Sequence, residues 1–333
     1  MVSRVALKLT RYSLLFAGLV GLAALALLAA ITTGSAGLGV GESLSALVGR
    51  APASVTELVM DLRLPRALTA FGVGGMLAIA GVLMQVLLRN PLAEPYILGS
   101  SGGAAVFALI AILFGLSSLA VDAAAFGGAL AATLIVFSVA HGTGSWTPTR
   151  LLLTGIVLAS GFGAATTLLL ALSPDQHLRG MLFWLMGDLS FAREPWQSLA
   201  LLAIIMTASL ALARQLNVLA RGELQAAIVG LAVKEVRYAV FVLASLATAI
   251  SVTTVGVIGF IGLVVPHLIR LIVGSDHRIV IPAAALGGGT LLVLADTLAR
   301  TLLAPRQLPV GALTAAVGVP LFLILMARSP RYR

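Results

Sequence analysis

The stretch LARQLNVLARGELQAAIVGLAVKEVR, residues 212–237, determines how the rest of the chain is interpreted. It carries six charged side chains, and on either side lies an apolar run close to the roughly 20 residues that a membrane-spanning helix needs. A long polar segment between two spans lies in water, where a soluble protein can bind it. We therefore predict that this segment is a docking surface on a membrane protein.

The composition indicates the same class of protein. Of the 333 residues, 60% are hydrophobic and 10% are charged, with a mean hydropathy of +1.10. Soluble domains contain roughly 25% charged residues, so most of this surface cannot lie in water. Small residues at helical spacing, such as Ala70, Gly74 and Ala78, or Gly127 and Ala131, predict helices that approach closely in lipid.

The predicted fold is an all-α polytopic membrane protein that forms a single domain over residues 1–333. The first apolar run, residues 12–31, is longer than the roughly 7–15 residues of a signal-peptide core, so we predict an uncleaved span. Residues 32–61 are predicted to be an external stretch, residues 141–149 a turn, and residues 173–195 a loop with a short helix at 181–186. The ten predicted spans are residues 12–31, 66–88, 96–116, 123–140, 151–172, 196–212, 238–255, 259–273, 279–303 and 310–326.

The basic residues predict the orientation. With ten spans, both termini lie on one side of the membrane together with residues 212–237. That side carries fourteen of the 21 basic residues and the other side seven. Because cytoplasmic loops are enriched in Lys and Arg, the termini and residues 212–237 are predicted to be cytoplasmic.

The sequence lacks the residues for several other functions. Its only lysines, Lys8 and Lys234, do not follow a glycine-rich phosphate-binding loop, so this motif binds no nucleotide here. Asp296 is the one clear carboxylate inside a span, and Arg300 lies four residues later, which predicts a structural pair. Carriers driven by protons or sodium usually need more such groups, so an external energy source fits better. There are no cysteines, and no metal site is predicted.

Six motifs carry a resemblance to a known family. They are RLPR at 63–66, NPLAEPYILG at 90–99, GFIGLVVPHLIR at 259–270, DHR at 276–278, AD at 295–296 and LPVG at 308–311. Together they resemble the inner-membrane permeases of ATP-binding-cassette (ABC) importers for iron siderophores, haem and vitamin B12. The similar positions run from about residue 60 to 326, nearly the whole chain.

This resemblance implies a bacterial inner-membrane subunit that pairs with a second copy around a central pathway. Two cytoplasmic ATPase subunits would bind below and hold ATP and magnesium, and a periplasmic binding protein would deliver the cargo above. The subunit itself would have no catalytic residues and no cofactor. Siderophore, haem and cobalamin permeases share these motifs, so the cargo stays open.

The resemblance also assigns three docking residues on the external face. Arg63, Arg66 and Arg300 match positions that receive acidic side chains of the binding protein. Exposed arginines pair with carboxylates through two parallel hydrogen bonds and attract an acidic partner from a distance. The alternative is that these arginines only extend from the span ends toward water.

By the same resemblance, Asn90, Leu92 and Thr149 belong to a cytoplasmic gate. Two prolines, Pro91 and Pro95, make the turn after the second span rigid, because each disfavours helix in the residue before it. Pro148 departs from the family pattern, which often has a small hydroxyl residue there. A purely structural turn is the alternative.

Within the coupling segment, at about residues 213–237, the family typically forms two short helices that fit a groove of the ATPase. Gly222, Glu223, Ala226 and Gly230 match that pattern. The two glycines are predicted to separate and end the helices, and Glu223 near a helix start suits the helix dipole. Three alternatives stay open: a plain polar loop for this segment, and for the chain a secondary transporter or channel for a small solute, or a non-transporting scaffold or sensor.

Overall fold

The computed structural model describes residues 2–34, 37–141, 147–190 and 194–328, and within them every regular element is helical. The prediction of an all-α fold is confirmed. The α-helices in chain order are α1 (Val2–Thr32), α2 (Val40–Leu47), α3 (Ala53–Glu57), α4 (Leu64–Leu87), α5 (Ser100–Leu113), α6 (Ser118–His141), α7 (Pro148–Leu172), α8 (Asp175–Met186), α9 (Pro195–Ala211), α10 (Ala213–Leu219), α11 (Glu223–Ile228), α12 (Val233–Val255), α13 (Ile261–Val273), α14 (His277–Thr301) and α15 (Val310–Arg328).

Ten apolar helical segments in the described part of the chain correspond to the ten predicted spans. Six are single helices long enough to cross a membrane, and a seventh is α9 with α10, bent by 55°. The remaining three, α5, α13 and the greater part of α15, are apolar but shorter. The chain is therefore a multi-pass membrane protein.

Helix α4 forms the centre of the bundle. Together with α3 and a π-helical segment, Leu58–Arg63, it makes a continuous helical span of 35 residues. Helices α14, α12, α9 and α13 pack around it. At the crossing with α14, a Cβ added to Gly74 would lie 2.3 Å from the carbonyl oxygen of Gly288, so only glycine allows this approach. The predicted small-residue contact of Ala70, Gly74 and Ala78 is confirmed, whereas Gly127 faces open space.

Two predicted loops are largely helical. Residues 32–61 contain α2, α3 and the start of the π-helical segment, because Ile31, Ala46 and Val59 bury a small apolar cluster of their own. Residues 173–195 contain α8, which is longer than the predicted helix at 181–186. Of the predicted turn at 141–149, residues 142–146 lie outside the described residues, and Pro148 already begins α7.

Helix α14 connects the two ends of the bundle. It begins at His277, beside α10 of the coupling segment, and it contains Asp296 and Arg300 near its other end. Nineteen residues separate His277 from Asp296, which at 1.5 Å per residue is roughly 28 Å. One helix, which contains Pro282, therefore joins the predicted cytoplasmic face to the predicted external face.

Candidate functional site

The coupling segment folds as two short helices, as predicted. Helix α10 ends before Gly222, which adopts a φ of +121°, and α11 ends before Gly230, with a φ of +81°. Both glycines occupy backbone conformations that side-chain-bearing residues rarely adopt, so they fix where the two helices stop. The last residues of the segment, from Val233 onward, already belong to α12.

Helix α11 exposes large apolar side chains as well as the polar Gln225. Leu224 is 76% exposed and Ile228 75%, and Val229, directly after the helix, is also exposed. Ala226 is the buried residue of this helix and packs toward the bundle. Because this segment is predicted to lie outside the membrane, large apolar side chains clustered on its surface indicate a protein contact. The sequence motif pointed to Ala226 and the glycines, whereas the structure adds Leu224 and Ile228.

The coupling segment is held by specific polar contacts. A salt bridge of 2.9 Å joins Glu223 to Arg237 in the first turns of α12. The side chain of Asn217 in α10 accepts hydrogen bonds from the backbone N–H and ring Nδ1 of His277, at 2.9 and 2.7 Å. The same Asn217 donates to Asp276 over 2.8 Å. The polar contacts of Glu223 and Asn217 therefore reach the first turns of two core helices, α12 and α14.

Asp276 is the N-cap of α14. Its carboxylate accepts from the Asn217 amide and from the backbone N–H of Arg278. Burial alone raises the pKa of Asp276, but these two hydrogen bonds and the nearby charge of Arg278 outweigh it and hold the pKa below its ordinary value. Asp276 is therefore ionised at neutral pH, and its negative charge at a helix start is favourable.

The turn between α4 and α5 contains two of the predicted gate residues. The side-chain oxygen of Asn90 accepts from the backbone N–H of Leu92 at 2.9 Å, which closes a compact turn directly after α4. Thr149 lies exposed in the first turn of α7. Helix α7 contacts the turn further along its length, where Gly155 lies against the carbonyl oxygen of Ile97.

The same turn is joined to the connection between α12 and α13. The carboxylate of Glu94 accepts from the backbone N–H of Phe260 at 2.8 Å, and the Tyr96 hydroxyl accepts from that of Ile258 at 3.2 Å. Phe260 has a φ of +70°, a conformation that is unusual for an aromatic residue and that the Glu94 contact stabilises. Sequence reasoning did not find this link, because its residues are more than 160 positions apart.

On the predicted external face, the three proposed docking arginines are turned inward. Asp296 accepts hydrogen bonds from the Nε and Nη2 atoms of Arg66, the shortest at 2.8 Å, and a further hydrogen bond from Arg300 at 3.2 Å. Arg300 also donates to the carbonyl of Ala30, and Arg63, 4% exposed, donates to that of Ile31. The exposure expected of these arginines is not found, because Arg63 is buried, Arg66 and Arg300 are partly buried, and all three have acceptors within the bundle. The predicted pairing of Asp296 with Arg300 is present.

Two exposed arginines of this face lie beside the buried ion-pair cluster of Arg66, Asp296 and Arg300. Arg179 in α8 and Arg306 after α14 line an open cavity of about 650 Å³, together with Ser190 and Gln307. Arg66 donates to both of these last two residues, at 3.3 and 3.2 Å. The buried ion-pair cluster is therefore continuous with a solvent-open basic pocket. Among the described residues, no group of three or more His, Asp or Glu side chains is arranged to hold a metal.

A bundle of ten apolar segments, with two short helices held at one end and an exposed apolar surface on them, defines a polytopic membrane protein. The chain belongs to the FecCD transport family, whose family model matches residues 22–328. It is similar to the hemin transport system permease protein HmuU of Yersinia pestis, with 44% identity over 82% of this chain and 84% of the relative. It is also similar to the cobalamin import system permease protein BtuC of Halobacterium salinarum, with 41% identity over 83% of this chain and 74% of the relative.

A solved structure extends this similarity to three dimensions. An inward-facing metal-chelate type ABC transporter superposes with a TM-score of 0.83 and 29% sequence identity. The match covers 96% of this chain and 100% of that chain. The recognition of this sequence as an ABC-importer type permease is confirmed.

Proposed function

We propose that this chain is the membrane-spanning permease subunit of an importer that carries an iron chelate, haem or cobalamin across the bacterial inner membrane. The names of the relatives, hemin and cobalamin permeases, support this cargo class. The observation that carries the proposal is the water-exposed apolar surface of α11, formed by Leu224 and Ile228. A chain that transports without a separate ATPase would not need an exposed apolar surface to bind one.

The coupling segment, including Gly222, Glu223, Ala226 and Gly230, is the proposed binding site for a cytoplasmic ATPase. Two ATPase subunits would hold ATP and magnesium, and this chain itself would bind no cofactor and catalyse no reaction. Residues 212–237 and both termini would then lie in the cytoplasm, in keeping with the excess of basic residues on that side.

A second copy of the chain is the proposed partner within the membrane. Helix α7 supports this proposal, because it is apolar along its length yet almost entirely unburied by the rest of the chain. Its exposed side chains include Leu153, Val157 and Leu172. Two α7 helices facing each other would enclose a pathway with smooth, weakly binding walls.

Transport by alternating access follows from these contacts. Closure of the ATPase pair would push α10 and α11, and the Asn217 contact would transmit that displacement to α14. At the end of α4, the turn with Asn90 and Leu92, together with Thr149, is the proposed cytoplasmic gate. Its links through Glu94 and Tyr96 would move it together with the start of α13.

A periplasmic binding protein would dock on the opposite face. Docking on Arg63, Arg66 and Arg300 stays a prediction, and it requires an incoming carboxylate to compete with Asp296 or with backbone oxygens. Arg306, exposed at the rim of the basic pocket, would be reached first. The variant Arg306→Glu should weaken association with the binding protein more at low salt than at high salt. Equal affinity at low salt would exclude Arg306 from the contact.

The function is tested by ATPase stimulation. The full complex is reconstituted in proteoliposomes with its ATPase and its binding protein, which is loaded in turn with ferric siderophores, haem and cobalamin. We expect one cargo class to stimulate hydrolysis and to accumulate inside. Accumulation by this chain in vesicles without the ATPase would favour a secondary transporter or channel, and no flux with both partners present would favour a scaffold or sensor.

A further inference from the structure

A crevice lies between the start of α1 and the end of α13. Its lining residue Gly274 lies two residues before Asp276, and none of its lining residues belongs to the sites described above. It encloses about 580 Å³ and is lined by Arg11 and Tyr12 on one side and by Ile272, Val273 and Gly274 on the other. Helix α1 packs mainly against α14, at the side of the bundle, and the crevice lies beside this contact. Its lining combines one cation, one phenol and apolar side chains, and it contains no carboxylate.

The crevice lies where two predicted spans end. The apolar run at residues 12–31 starts in this part of α1, and α13 ends at Val273, which also lines the crevice. A tyrosine next to an arginine at the end of a span is typical of the membrane–water interface. A ligand in this crevice would therefore have its polar end at the surface and its apolar end between the helices.

The side chains fit a ligand with an anionic head and an apolar tail. Arg11 is exposed, and none of the ion pairs among the described residues involves it. Leu14 is 68% exposed and Ile272 52%, so a continuous apolar wall leads from Arg11 toward the membrane interior. A soluble phosphate would gain nothing from that wall, whereas an acyl chain would cover it.

We propose that this crevice binds one anionic phospholipid. Arg11 pairs with the phosphate, the Tyr12 hydroxyl donates to a headgroup oxygen, and the first part of an acyl chain packs on Leu14 and Ile272. Basic pockets between transmembrane helices are the usual binding sites of such headgroups. The sequence adds two more basic residues, Arg4 and Lys8, before this point. The proposal does not depend on the identity of the cargo.

Native mass spectrometry of the full-length chain tests this site. The protein, purified in neutral detergent, is mixed with equal amounts of phosphatidylglycerol and phosphatidylcholine that carry the same acyl chains. We expect the first bound lipid to be mainly phosphatidylglycerol. Arg11→Gln should reduce this preference about fivefold, the effect of one basic side chain at an anionic surface, and Arg11→Lys should keep most of it.

The matched control is Arg150→Gln, which removes an exposed arginine at the start of a different span, α7. We expect it to keep the preference of the unmodified chain. An equal loss in both variants, or no loss in Arg11→Gln, would overturn the site. Displacement of the lipid by inorganic phosphate or by glycerophosphoglycerol at the same concentration would also overturn it, since the occupant would then be a soluble phosphate.

Discussion

Asn217 in α10 accepts two hydrogen bonds from His277, the first residue of α14, through the backbone N–H and the ring Nδ1. At the other end of α14, Asp296 is bound by Arg66 from α4. The coupling segment and the buried ion-pair cluster thus hold the two ends of one helix. We therefore expect a displacement of α10 to move α14 and, through it, the ion pair of Asp296 with Arg66.

The first prediction concerns the Asn217–His277 contact. Asn217→Ala leaves the His277 backbone N–H without its acceptor at a site that is mostly buried, which costs roughly 1–3 kcal/mol. We expect transport per ATP hydrolysed to fall severalfold while the ATPase still binds. The measurement is cargo uptake and hydrolysis in the same proteoliposomes.

The control for this variant is Thr207→Ala, which removes an exposed hydroxyl that bonds only within α9. It should leave the ratio of uptake to hydrolysis unchanged. If Asn217→Ala also keeps the normal ratio, α14 does not carry the signal from the coupling segment.

The second prediction concerns the buried carboxylate. Asp296→Asn leaves Arg66 and Arg300 without their shared counter-charge in a place where Asp296 is almost fully buried. Removing one member of a buried ion pair destabilises a protein by roughly 3 kcal/mol or more. We therefore expect a clear loss in the free energy of unfolding, measured by denaturation in detergent micelles.

Asp61→Asn is the matched control, since Asp61 is an exposed carboxylate five residues before Arg66. Its free energy of unfolding should stay within about 0.5 kcal/mol of the unmodified chain. A similarly small effect of Asp296→Asn would mean that the arginines find other acceptors and that Asp296 is not the centre of this cluster.

The third prediction concerns the proposed gate. Asn90→Ala removes the oxygen that accepts from the Leu92 N–H and so loosens the turn after α4. We expect a faster passive leak of cargo from loaded proteoliposomes without ATP, with a folded bundle. Asn90→Asp, which keeps an acceptor at this position, should leak at the normal rate. Equal, slow leakage of both variants would assign the turn a structural role only.

The sequence was sufficient for the features that depend on local pattern. Apolar runs predicted ten spans, because a bilayer requires a minimum apolar length. The family resemblance predicted the two short coupling helices, and Gly222 and Gly230 predicted where they end, because glycine readily adopts the backbone conformations that end a helix.

Contacts between distant positions could not be predicted in this way. Arg66 lies 230 positions from Asp296, and nothing in their local sequence shows that they form a pair. The predicted exposure of Arg63, Arg66 and Arg300 was wrong for that reason, because the motif gave their identity and not their distant acceptors, whereas docking on them stays a prediction. Leu224 and Ile228 were missed because apolar residues are common throughout a membrane protein, and only the fold shows that these two are exposed on a short helix between spans.

Ala226 is the least direct place to test the coupling surface. Its side chain is fully buried, so a larger residue there would disturb the packing of α11 as well as any contact with a partner. Leu224 and Ile228, three-quarters exposed, report on the partner contact without disturbing the bundle. Val48 on the predicted external face is comparably exposed and serves as the control position.

The most direct test of the coupling surface is the affinity of the ATPase subunit for the full-length chain in nanodiscs. We expect Leu224→Asp to weaken binding at least about tenfold, because a hot-spot contact at the centre of an interface is worth about 2 kcal/mol or more and a tenfold change in affinity is about 1.4 kcal/mol. We expect unchanged binding for Val48→Asp. Unchanged affinity of the Leu224→Asp variant would contradict the assignment of residues 213–237 as the ATPase docking surface.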